Sequence, residues 1–249
     1  MKHLKTYQLF ESRTGLTKRQ GDFLNRYTFL KGTWSYNPAT GLVDVKGDFD
    51  CSGTGTIKTF RGVKFGKVSG NFDCRLNKLI SLAGAPQEVG GSFECDQNKL
   101  TSLAGAPQEV GGKFSCQYNE LTSLEGAPQE VGGKFDCRDN QLTSLVGAPQ
   151  EVGEDFGCDA FRLKKGEWNP KGWLKVLREG RPEAQKLIST ILSAEALNKE
   201  IKKDPAGMAM KLKEIWNDED FKEIRSKLVW PKGYEEEADL VGDLDDVGF

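Results

Sequence analysis

The sequence predicts an α+β fold: a parallel-β solenoid between an N-terminal cap, made of a short helix and a hairpin, and a C-terminal helical domain. Three observations support this prediction. Near-identical segments recur every 21 residues in the middle of the chain, their apolar residues alternate as in a strand, and the residues after them follow a helical period. A period of about 20–29 residues is typical of solenoids, in which each unit buries its apolar face against its neighbours.

Each repeat begins with a short strand and a turn. From Phe135 the chain reads Phe135-x-Cys137-x-x-Asn140-x-Leu142-x-x-Leu145. Phe and Cys alternate with the period of a strand, so both are expected to point inward. Asn in the following turn is expected to bond backbone groups and to form a ladder between coils. The same frame recurs as Phe72-Cys74-Asn77, Phe93-Cys95-Asn98 and Phe114-Cys116-Asn119.

The second half of each repeat is Gly-Ala-Pro-Gln-Glu-Val-Gly-Gly, as at 105–112. We expect this stretch to turn the chain on the far side of the coil, because Pro suits an extended or turn segment that donates no ladder bond. The terminal repeats are irregular, since Thr54 and Phe161 stand where the others have Asn. Phe161 is expected to cover the open apolar end of the solenoid.

These residues follow the pattern L-x-L-x-x-N-x-L-x-x-L, with Phe and Cys in the first two apolar positions. The chain therefore resembles leucine-rich repeat proteins of the short bacterial and tailed-phage type, over about Val45 to Leu163. The resemblance implies the binding of protein targets. Leu-x-x-Leu followed by Ala-Pro also resembles secreted bacterial effectors that carry a ligase domain with a catalytic Cys. All Cys residues here lie within the repeats, so the resemblance implies no ligase activity.

The flanking segments complete a division into four parts: 1–46, 47–165, 166–231 and 232–249. The first part is expected to hold a helix over Thr17–Tyr27 and a hairpin over Gly32–Val45, which together cap the solenoid edge. The second part is the solenoid. The third is a helical domain, and the fourth is an acidic tail.

Several signals define the helical domain. Pro182 stands at a first-turn position, Ser193 is a capping residue, and Asp204-Pro205 is a cap followed by Pro. A last helix is expected to begin at Asn217-Asp218 and to end before Pro231. Trp168 and Trp173 are expected to dock these helices on the solenoid.

Composition limits the possible functions. The formal net charge is −2, so no global positive field favours nucleic acid. No apolar run reaches the ~20 residues of a membrane span, and no signal-peptide core is found, so a cytoplasmic protein of a bacterial host cell is expected. The regular spacing of Cys indicates small buried hydrophobes. Zinc would require C-x-x-C spacing, which is absent, and His3 is the only histidine; no metal or cofactor is expected.

The sequence also predicts a protein without enzymatic activity. Catalysis needs a base, a nucleophile or a metal held in a pocket. No G-x-S-x-G, phosphate-binding Gly loop or H-E-x-x-H is present. The Gly-Gly pairs recur as turns of the repeat. Acid–base pairs of carboxylates remain the open alternative, because Asp and Glu are abundant.

The candidate binding residues are the outward positions of the Phe-Cys strands, which differ between repeats while buried and turn positions repeat. The loop edge adds Leu76, Gln97, Tyr118 and Asp139 to this surface. Tyr and Arg are common anchors of interfaces, and mixed charge favours a protein partner over nucleic acid. The alternative is an ordinary solvated sheet face. The predicted partner-binding residues are Arg75, Asp96, Lys113, Gln117, Tyr118, Lys134, Asp136 and Arg138.

A second hypothesis gives the termini the main role. Met1–Ser12 resembles the leader that directs internal head proteins of tailed phages into the prohead, and Leu9-Phe10-Glu11 resembles the site cut by the prohead protease. In the tail, Leu240, Leu244 and Val247 have helical spacing that suits a docking peptide. On this hypothesis the protein is a virion component, with virion proteins as partners and the solenoid as a spacer.

Overall fold

The computed structural model describes residues 15–28 and 32–232 and confirms the predicted fold class. The chain forms two compact units. The first is a parallel-β solenoid of about five turns with an N-terminal helix, and its described residues are 15–28, 32–142 and 147–165. The described residues of the second are 143–146 and the helical part 166–232.

Two sheets form the walls of the solenoid. The Phe sheet holds β3, β5, β7, β9, β11, β13 and β14, which are Phe49–Asp50, Phe72–Asp73, Phe93–Glu94, Phe114–Ser115, Phe135–Asp136, Phe156–Gly157 and Arg162–Leu163. The Val sheet holds β1, β2, β4, β6, β8, β10 and β12, which are Gly32–Asn37, Leu42–Gly47, Phe65–Val68, Glu88–Val89, Glu109–Val110, Glu130–Val131 and Glu151–Val152.

The Val sheet corrects one expectation from the sequence. The Gln-Glu-Val stretch was expected to turn the chain, yet it forms a second parallel ladder in which Glu88 pairs with Glu109 and Glu109 with Glu130. The Gly-Gly pairs make the turns between the sheets. Unlike the Phe-x-Cys segment, this stretch has one apolar residue, Val, followed by Gly-Gly, so no period-2 alternation shows in the sequence, and the adjacent Pro obscures the strand further.

Aromatic rings fill the core of the solenoid. Neighbouring rings from Phe72 to Phe156 stack with centroids 5.2–5.4 Å apart and planes within 8° of parallel. The six cysteines, Cys51 to Cys158, are free thiols buried beside them. Burial raises the pKa of all six thiols above the ordinary value. Burying each Phe side chain contributes roughly 1.5–3 kcal/mol to folding.

The predicted Asn ladder is present and fully bonded. In the coil that spans 113–133, Asn119 Nδ2 donates to the carbonyls of Cys95 at 3.1 Å, Cys116 at 3.1 Å and Gln117 at 3.2 Å. Its Oδ1 accepts from Leu100 N at 3.0 Å. Because each Asn joins its own coil to the preceding one, the ladder fixes the register of the stack.

Both ends of the solenoid are closed within the first unit. Helix α1, Lys18–Thr28, places Phe23 5.7 Å and Tyr27 6.0 Å from the Phe49 ring. The predicted hairpin is the β1–β2 pair, which forms one edge of the Val sheet. At the other end Phe161 stacks on Phe156 at 5.9 Å, as expected, and β14 pairs antiparallel with β13.

Up to Lys232, where the description of the chain ends, the second unit contains five helices: α2 Pro170–Glu179, α3 Pro182–Ile191, α4 Ala194–Lys203, α5 Pro205–Lys213 and α6 Glu219–Arg225. The predicted caps are confirmed, since Ser193 accepts from Ala196 N and Asp204 from Gly207 N. The last helix ends earlier than expected, at Arg225. Helix α2 was not predicted, although Asn169 before Pro170 is a capping signal. Trp168 and Trp173 contact each other at 5.4 Å, and their predicted docking role stays a prediction.

Within the described residues, no helix combines the length and apolar character needed to cross a lipid bilayer. The proposed leader over Met1–Ser12 and the tail residues Leu240, Leu244 and Val247 lie outside the described residues.

Candidate binding surface

The outer face of the Phe sheet arranges its side chains in columns, one residue per coil. Backbone hydrogen bonds hold the coils in register: Cys74 N donates to Glu94 O, Cys95 N to Ser115 O and Cys116 N to Asp136 O, each at 2.9 Å. Neighbouring members of a column are therefore about 4.8 Å apart. Hydrogen bonds between successive coils fix the spacing of these columns.

Differences between the repeats concentrate on this face. Coils 92–112, 113–133 and 134–154 share most residues, and their differing columns are Ser92, Lys113, Lys134; Glu94, Ser115, Asp136; Asp96, Gln117, Arg138; Gln97, Tyr118, Asp139; and Lys99, Glu120, Gln141. Only two further columns differ: Ala104, Glu125, Val146 and Gly112, Gly133, Glu154. The outer face of the Val sheet is exposed as well, yet it carries the same Gln-Glu pair in each coil. Exposure alone therefore does not explain where the repeats differ.

The first part of the face is an ion-pair cluster. Arg75 Nη2 lies 2.7 Å from Asp73 Oδ2, and Arg75 Nη1 lies 2.8 Å from Glu94 Oε2. Lys113 Nζ approaches Glu94 Oε1 at 3.7 Å. These pairs link three successive coils, and they fix the Arg75 guanidinium against the sheet.

Asp96 is buried at the centre of the face. Its Oδ1 accepts from Ser115 Oγ at 2.5 Å and from Gln117 N at 2.9 Å. Gln117 Nε2 in turn donates to Ser115 Oγ at 3.1 Å. Burial raises the pKa of the Asp96 carboxyl above its usual value, and these hydrogen bonds offset the rise only in part.

Asp136 is also buried, but two cations bind it. Arg138 donates from Nε to Oδ1 and from Nη2 to Oδ2, both at 2.8 Å, and Lys134 Nζ pairs with Oδ2. Burial alone would raise the pKa of the Asp136 carboxyl, but the hydrogen bonds from Arg138 and Lys134 outweigh burial and hold that pKa below its usual value. Arg138 Nη2 also reaches Gln117 Oε1 at 3.2 Å, which joins this cluster to the centre.

The structure separates the eight predicted residues into two classes. Asp96 and Asp136 are buried supports, which corrects the expectation that they face a partner. The period-2 pattern gives the direction of a side chain but not its coverage by longer neighbours. Arg75, Lys113, Gln117 and Lys134 are partly exposed, while Tyr118 and Arg138 are exposed.

The loop edge of the face has left-handed backbone. Leu76, Gln97, Tyr118 and Asp139 have φ of +56°, +54°, +51° and +56°. We call these four residues the left-handed row. Tyr118 is 55% exposed and Leu76 48%, although both are large and apolar. The sequence placed these residues at the loop edge, but only Asp139 is of a type that favours this conformation, so the row as a whole was not predictable.

No group of three or more His, Cys, Asp or Glu side chains that could hold a metal ion occurs within residues 15–28 and 32–232. A scan against protein-family models, a search of curated proteins and a search of solved structures find no match for this chain. The surface itself is therefore the basis for any functional argument.

Proposed function

We propose that this chain is a non-enzymatic scaffold of the leucine-rich repeat type, which binds a protein partner through the outer face of the Phe sheet. It would act in the bacterial cytoplasm as an adaptor or inhibitor encoded by a bacterium or a phage. One observation carries the proposal: nearly identical coils differ chiefly on this face, while the exposed Gln-Glu pairs on the outer face of the Val sheet repeat without change.

The chemistry of the face supports a protein as the partner. Its cations Arg75, Lys134 and Arg138 are matched by carboxylates of the same face. Binding of nucleic acid draws on many unmatched cations. An exposed Tyr beside fixed Arg side chains is typical of interface anchors, because little side-chain entropy is lost on binding.

The test is affinity capture from the native host with the tagged full-length chain, followed by mass spectrometry. The triple variant Arg75→Ser, Tyr118→Ser, Arg138→Ser alters the Phe-sheet face. A matched control replaces Gln87, Gln108 and Gln129, exposed residues on the edge of the Val sheet, by Ser. A partner that is lost with the first variant and retained with the control supports the proposal.

A different outcome would support the virion hypothesis. A partner that the triple variant retains, and that is lost on deletion of 1–12 or 232–249, would assign binding to the termini. Presence of the protein in purified phage particles would agree with that result, and the solenoid would then be a spacer.

A further inference from the structure

The left-handed row is unusual because most of its residues are of types that rarely adopt a left-handed backbone conformation. Among L-residues, only Asn and Asp enter this conformation readily, and Gly does so without steric cost. Local preference would therefore place Gly or Asn in every coil. Asp139 adopts the conformation readily, whereas Leu76, Gln97 and Tyr118 adopt it against their local preference.

The turn itself explains the backbone but not the side chains. The amides of the row continue the sheet ladder: Leu76 N donates to Asp96 O at 3.0 Å and Gln97 N to Gln117 O at 2.9 Å. The next residue in each coil is the inward Asn of the ladder. Gly would permit the same bonds. Since strained residues persist where function requires them, the side chains of the row are the feature to explain.

The exposed charges beside the row indicate the chemistry of its partner. Glu120 follows Tyr118 by two residues, and Asp139 takes the place of Tyr118 in the next coil; both are exposed. Among the described residues, neither carboxylate forms a close ion pair: Arg138 attracts Asp139, but its guanidinium is bound to Asp136. A cation bound beside these carboxylates would also be attracted by the face of the Tyr118 ring. The other end of the row presents the apolar side chain of Leu76.

We propose that the left-handed row determines specificity, and that it binds an extended segment of a protein partner in which an apolar side chain and a basic side chain lie three or four residues apart. Leu76 and Tyr118 are two coils apart, or about 10 Å, and Asp139 is about 14 Å from Leu76. An extended peptide rises about 3.3 Å per residue, which gives that spacing. This inference rests on the proposed function, because it assigns the recognition to one edge of the same face.

The experiment uses the full-length chain and a displayed library of random peptides as the probe. Selection on the wild type is followed by counter-selection on the double variant Leu76→Gly, Tyr118→Gly. Gly accommodates this backbone, so the variant keeps its fold, which circular dichroism and thermal melting check. The expected peptides share an apolar and a Lys or Arg residue at the stated spacing, and they bind the variant at least tenfold more weakly.

Further variants separate this inference from the proposed function. Glu120→Gln, Asp139→Asn should weaken the same peptides, and the effect should disappear at high salt. Peptides that bind the Gly variant as tightly as the wild type would overturn the inference. If those peptides were lost instead with Arg75→Ser, Arg138→Ser, the face would still bind protein, and only the role of the row would be wrong.

Discussion

Replacing Asn119 by Ala tests the ladder that holds the binding surface in register. All three carbonyls that accept from Asn119 keep a second donor: Asn98 Nδ2 on Cys95 O, Asn140 Nδ2 on Cys116 O, and the Gln97 amide on Gln117 O. The Leu100 amide has no such replacement, because Asn119 Oδ1 is its acceptor and the site is buried. The substitution therefore leaves one buried N–H without a partner.

The magnitude follows from that single amide. An unsatisfied buried donor costs about 1–3 kcal/mol, and the loss of the remaining hydrogen bonds adds about 1 kcal/mol. We expect Asn119→Ala to lower the free energy of unfolding by about 2–4 kcal/mol. Urea denaturation followed by circular dichroism measures it, and hydrogen exchange should show faster exchange at Leu100. Gln108→Ala, which removes an exposed side chain, is the control and should change stability by less than about 0.5 kcal/mol.

The reasoning would be refuted by an Asn119→Ala variant within about 0.5 kcal/mol of the wild type that keeps its protection at Leu100. Such a result would mean that the coils relax to satisfy this amide without the ladder.

Three further predictions concern other parts of the solenoid. Asp96→Asn should become more stable relative to the wild type as pH rises through the raised pKa of Asp96. Asp136→Asn should become less stable relative to the wild type as pH rises through the usual carboxyl range. Thermal melts recorded from acid to neutral pH measure both effects. Gly132→Ala should lower the free energy of unfolding by more than about 1 kcal/mol, because the new Cβ would lie 2.3 Å from the Gly111 carbonyl oxygen. Gly157→Ala, whose Cβ would have no neighbouring atom closer than 3.7 Å, should leave the free energy of unfolding nearly unchanged in urea denaturation. The thiols should react with a colorimetric thiol reagent only after unfolding in guanidinium, since the pKa of each is raised by burial.

The signs for the two aspartates follow from proton linkage. The native state holds the proton of Asp96 more tightly than the unfolded chain does, so ionisation at higher pH disfavours folding. Asp136 has the opposite shift, so its ionised form stabilises the native state and this contribution is lost in acid. Parallel pH profiles for the two Asn variants would contradict the assignment. Equal stability of the two Ala variants, or rapid labelling of native thiols, would contradict the packing.

The core of the solenoid could be read from the sequence because each coil repeats the same local pattern. Phe93 and Cys95 alternate as in a strand, and Asn98 follows in the turn, so inward and outward positions were determined by spacing alone. The Val sheet could not be read in this way. Its repeat strands, such as Glu109–Val110, hold a single apolar residue followed by Gly-Gly, so no alternation marks them in the sequence. They become strands only because the neighbouring coil supplies hydrogen bonds.

The binding surface was predictable in position but not in detail. The sequence by itself determined the repeat, the inward stack and the columns on which the coils differ, since these depend on period and residue type. Only the tertiary structure decided that Asp96 and Asp136 are buried and that Tyr118 stands on left-handed backbone. The physical reason is that coverage and backbone strain depend on side chains from adjacent coils, which are distant in sequence and meet only when the solenoid is stacked.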